Sequence, residues 1–559
     1  MKKLLFVGIN ARYTHSNLAL RYLRNFVAEL EYKSKILEFS INQDFLEILE
    51  QIEHTQSDIL AFSVYIWNTE ITYLLLSEIK KILPEIKIIL GGPEVSYNPE
   101  DWLSKFPEID FIVCGAGEAG LKYLLENNLN TQNEILRMRN PHFSEIPFPY
   151  LQSDFPEIND KYLYYESSRG CSFKCSYCLS SRIDQALQFR DLESVKKELK
   201  FLIEQKPRII KFVDRTFNAK KEHSRKIWKF LIELDPHITF HFEIHPELLE
   251  DEDLQILKTC PKGLFQFEIG IQSTNYETLN AIHRVNNWEK TTYIVYQLMS
   301  FGNIHIHVDL IAGLPFEDMS GFERSFNDIF NLNTDHFQLG FLKILPGTEM
   351  SENAKKFGIT STKISPYIIL KNNWLSFNEI NKIHKIEDLL EIFSNSNKFK
   401  ITLKYLIPEF KSPFIFFNEL LYFLKANNFD LHTKNWQKNG VELKQFANKK
   451  FPDQTDFFFD CLRWDWCLQA KSHYYPEFLK SELNVKAKQI GKELLNSQKI
   501  IGKMKLKNIE FTISDLKRAI YFMAASDEFK QKNLPVSEIA IFITGEPIQS
   551  YILQENLSR

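Results

Sequence analysis

The sequence predicts an α/β protein in three parts: a doubly wound parallel sheet, a second set of β/α units, and a mainly α C-terminal domain. Three observations predict it. Strand-length apolar runs alternate with helical patterns from residue 1 to about 130. The alternation resumes at Tyr162 and continues to Leu345. Beyond about residue 360 it stops. Strands that alternate with helices pair in parallel, because each crossover returns the chain to the same edge of the sheet.

In the first part, strand runs fall at Leu4–Ile9, Lys35–Phe39, Ile59–Val64, Ile86–Leu90 and Phe111–Cys114, with a helical pattern from Leu18 to Leu30. Ligands of such sheets bind beyond the carboxyl ends of the strands. Polar and glycine residues collect there: Asn10–Asn17 after the first strand, Ser63–Asn68 after the third, Gly91-Gly92-Pro93-Glu94 after the fourth and Gly115-Ala116-Gly117-Glu118 after the fifth. Glycine lets a ligand approach the backbone. No Gly-x-Gly-x-x-Gly follows the first strand, so a nicotinamide dinucleotide is not expected. By residues alone, these glycines could equally serve only as turns.

Residues 136–158 carry Pro and aromatics without period and read as a linker. In the second part, strands are expected at Tyr162–Glu166, Ile209–Val213, Ile238–Ile244, Leu264–Ile271, Ile304–Ile311 and Phe337–Leu345. Helices are expected at Leu192–Ile203, His223–Leu234, Leu248–Leu257 and Trp288–Met299. That makes about six β/α units, where eight close a full barrel. The expected domains are 1–135, the linker, 159–352 and 353–559. The last is rich in Lys, Asn and Phe, with helical runs at Ile386–Phe393, Phe414–Leu424, Phe457–Cys467 and Val485–Leu495, and an alternating run at Ile509–Ile513. Phe457, Cys461 and Trp464 share one helical face, which suits core packing. Asp460 and Arg463, three apart, can pair on another.

Bulk properties exclude some classes. An apolar fraction of 44 % and a charged fraction of 25 % are those of a globular chain. A net charge of −4 gives no global basic field, so no nucleic-acid partner is expected. No apolar run is long enough for a membrane helix, and the N-terminal run is too short for a signal sequence; a cytoplasmic protein is expected. Seven cysteines at irregular positions do not form a disulfide framework, and Cys114, Cys260, Cys461 and Cys467 read as buried thiols.

The remaining three cysteines carry the chemistry. Cys171, Cys175 and Cys178 lie in Cys-Ser-Phe-Lys-Cys-Ser-Tyr-Cys. Thiolates are the usual ligands of iron–sulfur clusters, which normally take four. Three thiolates leave one iron of a [4Fe-4S] cubane open. A structural zinc site is the alternative, but it wants a fourth ligand, and no His or Cys follows closely. Gly170 permits a tight wrap around a cluster. Lys174 and Arg169 either offset the cluster's charge or are solvated surface charges.

This motif, with Tyr177 just before its last cysteine, resembles that of the radical S-adenosylmethionine (SAM) enzymes. Together with Ser63, the Gly91-Gly92 pair and the Gly115–Glu118 loop, the chain resembles the cobalamin (vitamin B12)-binding radical SAM proteins over residues 1–350. Its C-terminal extension resembles an uncharacterised one found in one subgroup. The resemblance implies a Rossmann-like cobalamin-binding domain followed by a partial (β/α)6 TIM-type barrel. It also implies that the open iron chelates SAM, which one electron splits into methionine and a 5′-deoxyadenosyl radical. It places Asp214 near the methionine part of SAM and Glu243 at its ribose hydroxyls. Glu268-Ile269-Gly270-Ile271-Gln272-Ser273 matches a family motif, with Gln272 and Ser273 facing the cofactor and His283-Arg284 downstream. Asp309–Pro315, with Ala312, backs the adenine. Ser63, Gly91, Gly92, Gly115 and Glu118 would meet cobalamin. Residues 1–130 lack Asp-x-His-x-x-Gly, so cobalt is expected to be five-coordinate or to carry water; His15 is the alternative ligand.

The expected activity is methyl transfer to an unactivated carbon of an unknown small-molecule, peptide or other substrate. An external one-electron reductant of flavodoxin or ferredoxin type is expected too. The alternatives are a radical rearrangement or ring closure, a methylthiotransferase, and a non-catalytic corrinoid or iron–sulfur protein. A methylthiotransferase would need three more N-terminal cysteines, where residues 1–150 have only Cys114.

Overall fold

The computed structural model describes residues 1–182, 186–284, 286–470, 474–496, 519–534, 539–543 and 549–552. The chain divides into two compact units, Met1–Ile380 and Asn381–Arg559.

The first unit opens with six parallel strands: β1 (Lys2–Asn10), β2 (Tyr32–Ser40), β3 (Ile59–Ser63), β4 (Lys87–Gly91), β5 (Phe111–Cys114) and β6 (Ile135–Arg137), in the order β2-β1-β3-β4-β5-β6. Both faces are buried, as in a helix-covered parallel sheet. Leu5, Val7 and Ile9 of β1 join the core on one face, and Leu4 and Phe6 that on the other. Asn17 starts the helix Leu18–Phe26, its Oδ1 accepting from Leu20 N at 3.1 Å. The expected strands are all present; the short β6 was not expected. Past β6, which takes the first residues of the expected linker, the stretch to 158 holds short helical turns.

The linker is fastened to this domain by charge. Arg24 donates to Asp154 Oδ2 at 2.8 Å and to Pro149 O at 3.1 Å, and Asn25 donates to Phe148 O at 2.7 Å.

The chain then enters β7 (Leu163–Tyr165). A short antiparallel pair follows, β8 (Ser168–Arg169) with β9 (Gln188–Phe189). Next come β10 (Ile209–Phe212), β11 (Thr239–Glu243), β12 (Phe265–Gln272), β13 (His305–Ala312) and β14 (His336–Phe341). The order β14-β13-β12-β11-β10-β7, all parallel, is the six-stranded open sheet expected. Helices cover its outer face, including Tyr276–Ala281 and Met319–Phe330, which were not expected. Alternation along the strands buries Phe240, Phe242, Phe265 and Phe267 against that layer, with Phe212, Phe217 and Trp228. A hairpin of β15 (Thr360–Ser361) and β16 (Ile369–Lys371) ends the unit's strands.

The second unit is mainly helical, with Pro413–Ala426, Thr455–Cys467 and Glu482–Asn496 close to expectation and Trp436–Lys450 not expected. It also holds a small antiparallel sheet, β17 (Ile520–Met523), β18 (Ile539–Ile543) and β19 (Gln549–Ile552), absent from the sequence reading. Ile509–Ile513 lies outside the described residues. Phe457, Cys461 and Trp464 are buried, as the helical face predicts. Asp460 and Arg463 do pair, at 2.9 Å, and both are fully buried. Their cost is offset by further bonds: Asp460 accepts from the Ala525 and Ser526 amides, and Arg463 donates to Met523 O, with only its Nε left unpartnered among the described residues. No helix among the described residues is long and apolar enough to cross a membrane.

Candidate functional site

The cysteine loop is held at its entry by Asp214, which follows β10. Asp214 accepts from Ser167 Oγ at 2.6 Å, Ser168 Oγ at 2.5 Å and Ser167 N at 3.0 Å. Burial pushes its carboxyl up to about 6, against these donors. The resemblance directs Asp214 to SAM; its oxygens here anchor the segment that leads into Cys171. Gly170 turns the chain with φ of 100°, a left-handed conformation that suits glycine.

Within the loop, the Phe173 amide donates to Cys171 Sγ at 3.5 Å, and burial pushes the Cys171 thiol up. Cys175 is buried and accepts from Arg284 Nη1 at 3.7 Å. The neighbouring Ser176 is tied on both sides, to Ile282 O at 3.0 Å and from Met350 N at 2.8 Å. Phe173 stacks on His245 with ring centroids 4.7 Å apart. Burial lowers His245 to about 4, so this ring is neutral. Burial raises the Tyr177 phenol well above its ordinary range despite the Arg284 guanidinium.

These surroundings fit a thiolate-held cluster. An amide and a guanidinium point at the sulfurs, as negative sulfur requires. Among the described residues, no three His, Cys, Asp or Glu side chains are gathered around one point as for a single ion. A cubane meeting one thiolate per iron does not ask for that. The cation beside the sulfurs is Arg284. Lys174 is exposed, and Arg169 is engaged elsewhere.

At the carboxyl ends of β11–β13, Glu243 has no hydrogen-bond partner among the described residues. Burial pushes it up to about 7 in spite of Arg215. Gln272 sits where β12 shifts register, with φ of 74°, and its Oε1 is buried without a partner. Its amide lies over Gly270, where a Cβ would fall 2.2 Å from Nε2. A free carboxylate and an orphaned amide oxygen suit a ligand that donates hydrogen bonds, such as SAM. Ser273 points elsewhere and donates to Glu317 Oε1 at 2.6 Å; Ala312 is fully buried at the end of β13. Glu268 meets His241 Nε2 at 3.0 Å. Burial raises its carboxyl, but His241 outweighs this and leaves it below its usual range.

Above lies a cavity of about 700 Å³. Ser63, Gly91, Gly92, Gly115 and Glu118 all line it. At Gly92 a Cβ would stand 2.4 Å from Val64 O. At Gly91 it would meet only Val113 O at 3.6 Å, so the protein itself leaves that space open. The opposite wall comes from the second domain: Ser168, Arg169, Gly170, Leu179, Ser180, Val213 and Arg215. The residues flanking the cysteine motif on both sides therefore face the glycine loops. Glu118 is buried and paired with Arg169 at 2.8 Å, while Arg169 also holds Glu166 at 2.9 Å. His15 packs between Tyr162 and Tyr164, its Nδ1 bonded to the Tyr164 hydroxyl, and is not on the cavity wall. The glycine-floored cavity fits a large flat group such as a corrin.

Three features escaped sequence reasoning. Arg284 was noted downstream of the Glu268–Ser273 motif, but its contact with Cys175, 109 residues away, carries no local signal. The Glu118–Arg169 pair joins two domains. The third is the inner face of the barrel, where Lys211, His241, Glu268, His307 and Asp309 alternate with the outward apolar residues. His307 Nε2 lies 3.1 Å from Asp309 Oδ1, and the His307 and His336 rings are 4.4 Å apart. The signal was present as period-two alternation in Thr-Phe-His-Phe-Glu and His-Ile-His-Val-Asp.

Known families match all three parts. Residues 4–125 match the B12 binding domain, 165–329 the radical SAM superfamily, and 355–536 a protein of unknown function (DUF4080). The cobalamin-dependent radical SAM methyltransferase TokK of Streptomyces tokunonensis is 22 % identical over 405 residues, 66 % of this chain and 59 % of that protein. The 2-(S-pantetheinyl)-carbapenam-3-carboxylate methyltransferase of Streptantibioticus cattleyicolor is 25 % identical over 341 residues, 54 % of this chain and 49 % of its own. The chain thus spans about half to three-fifths of these relatives. Among solved structures, the cobalamin-dependent SAM radical enzyme OxsB with aqua-cobalamin bound superimposes with a TM-score of 0.59 at 14 % identity, covering 83 % of this chain and 79 % of that one. The radical SAM methyltransferase TsrM of Kitasatospora setae, with cobalamin and a [4Fe-4S] cluster, gives 0.54 at 17 %, covering 68 % and 84 %. At such identities the likeness is one of fold. Along its length the chain thus carries a B12 binding domain, a radical SAM domain and a C-terminal domain of unknown function, the order found in B12-binding radical SAM proteins.

Proposed function

We propose that the protein is a cobalamin-dependent radical SAM methyltransferase acting on a carbon of a small-molecule or peptide substrate. The observation that carries this is the shared cavity: its floor is the glycine loops of the B12 domain, and its wall is the chain entering and leaving the cysteine motif. When bound, the cluster supplies an electron and the corrinoid a transferable methyl group. A substrate between the two domains would be reached by both.

The chain's own residues prepare that space. Cys171, Cys175 and Cys178 would hold the cluster, with Arg284 balancing thiolate charge. Asp214 keeps the entry to the cysteine loop fixed. Glu243, Gln272 and Tyr177 would receive SAM, with Ala312 and the Asp309–Pro315 segment behind its adenine. Gly91, Gly92, Gly115 and Ser63 would seat the corrin, without a histidine ligand from His15. Desolvation at the barrel mouth strengthens each of these hydrogen bonds relative to water. An external one-electron reductant of flavodoxin or ferredoxin type in a reducing cytoplasm completes the reading; seven cysteines without a disulfide suit such a compartment.

The test is anaerobic reconstitution of the full chain with iron, sulfide and hydroxocobalamin, followed by reductant and SAM. The reading expects about four irons per chain, together with 5′-deoxyadenosine and S-adenosylhomocysteine. No 5′-deoxyadenosine would favour a non-catalytic binding protein. 5′-Deoxyadenosine without S-adenosylhomocysteine would favour rearrangement or ring closure.

A further inference from the structure

We infer that corrinoid binding and cluster assembly are energetically coupled in this protein, and that Arg169 is the positioning residue that transmits the coupling. The inference rests on the assignment of the 700 Å³ cavity to a corrinoid.

Two observations carry it. The first is the cavity wall. Ser168, Arg169 and Gly170 precede the first cysteine, and Leu179 and Ser180 follow the last. Whatever orders the loop Cys171–Cys178 also orders both strips of wall beside it. The wall in turn touches any group seated on the glycine floor.

The second is the Arg169 side chain. Its Nη1 donates to Glu118 Oε1 at 2.8 Å, and its Nε and Nη2 donate to Glu166 at 3.1 and 2.9 Å. Glu118 stands in the first turn of the helix Gly117–Glu126, directly after the Gly115 loop. The guanidinium also stacks over Phe143 and Tyr22, at 5.0 and 5.4 Å. A planar fork clamped between two carboxylates and two rings has one geometry, which a flexible ammonium would not reproduce. Arg169 therefore links the position of the glycine loop to the position of the chain two residues before Cys171. A cluster that fixes the loop removes part of the ordering cost of seating the corrin, and by linkage the corrin does the same for the cluster.

The experiment uses the full chain in two forms, iron-free and reconstituted with iron and sulfide under anaerobic conditions. Each is titrated with hydroxocobalamin, followed by its visible absorbance and by retention on gel filtration. Coupling predicts a Kd at least about fivefold lower in the iron-loaded form. It also predicts slower iron release to a chelator when cobalamin is present. Arg169→Lys and Glu118→Gln should bring the Kd ratio between the two forms toward one, whatever each does to the Kd itself. Lys174→Ala, an exposed change in the same loop, should keep the wild-type ratio.

A wild-type ratio near one overturns the inference, whatever the variants do. Retention of the full ratio in Arg169→Lys and Glu118→Gln overturns the role of Arg169. If the wild type binds no cobalamin in either form, the cavity assignment falls and the coupling with it. Binding with equal Kd removes the coupling alone.

Discussion

Replacing Arg284 with Gln should make the cluster harder to reduce. Arg284 Nη1 is 3.7 Å from Cys175 Sγ, and the side chain is buried between the cysteine loop and β12, where it also donates to Gly270 O. At that distance two unit charges attract by ~4 kcal/mol at an effective dielectric of ~20. Thiolate charge spreads over a bound cluster, so about half of that distinguishes the reduced from the oxidised form. That half is about 2 kcal/mol, or roughly 100 mV for a one-electron couple. The sign follows from the charge: reduction adds an electron, and the lost cation had favoured it. The midpoint should therefore move down by about 100 mV on this estimate. The assay is an EPR-monitored redox titration of reconstituted Arg284→Gln beside wild type, with iron counted in both. Arg284→Lys keeps the charge while altering the bond to Gly270, and should recover most of the shift. A glutamine variant that holds its cluster at the wild-type midpoint would refute the electrostatic argument. Equal shifts in both variants would assign the effect to the lost hydrogen bonds.

Further outcomes follow from other sites. Cys175→Ala should lose the visible absorbance of a thiolate-held cluster while still retaining cobalamin. Glu243 is held up at about 7 by burial, so it is mostly protonated at pH 6 and ionised at pH 8. If its carboxylate receives the ribose hydroxyls, SAM should bind more tightly as pH rises through 7. Glu243→Gln should flatten that profile and cost about 1.5–3 kcal/mol of binding by calorimetry at pH 8. Gly91→Ala should leave the fold intact, because its Cβ meets only one carbonyl at 3.6 Å, yet weaken cobalamin retention. Gly92→Ala should damage the domain itself, because its Cβ would clash with Val64; thermal melts separate the two. Asp465 accepts from the Ile401 and Thr402 amides and the Thr402 hydroxyl, all at 2.7–2.8 Å. Its replacement by Ala should destabilise the C-terminal unit by about 2–4 kcal/mol, read as a lowered melting transition.

Most of the first unit was legible because burial writes a period into the chain. Strands with two buried faces read as apolar runs, and those at Ile59, Phe111, Ile209 and Phe265 fall within a residue of where the runs begin. Three-residue β6 is too short to carry such a pattern. The small C-terminal sheet carried a signal that went unread: Ile520–Met523 and Ile539–Ile543 are short apolar runs, and a connection containing Gly545 and Pro547 separates β18 from β19. The cysteines were legible because their spacing is local. Arg284, Glu118 and Asp214 show the opposite case. The sequence marks them as charged residues at strand or helix ends, but their partners come from distant segments. Asp214 and Glu118 were directed to cofactors, and only the fold shows that both hold the chain around Cys171.

The open barrel divides its labour between two faces. Phenylalanines on the outer face carry the cohesion of the sheet, and those positions leave little latitude, since each trimmed ring costs about 3–5 kcal/mol. The inner face holds Lys211, His241, Glu268, His307 and Asp309, side chains that contribute little apolar burial. They pair with one another instead, Glu268 with His241 and Asp309 with His307. The alternation thus parts cohesion from charge residue by residue: every second position of β10–β13 packs the sheet, and the positions between can carry charge into the interior without opening the apolar layer.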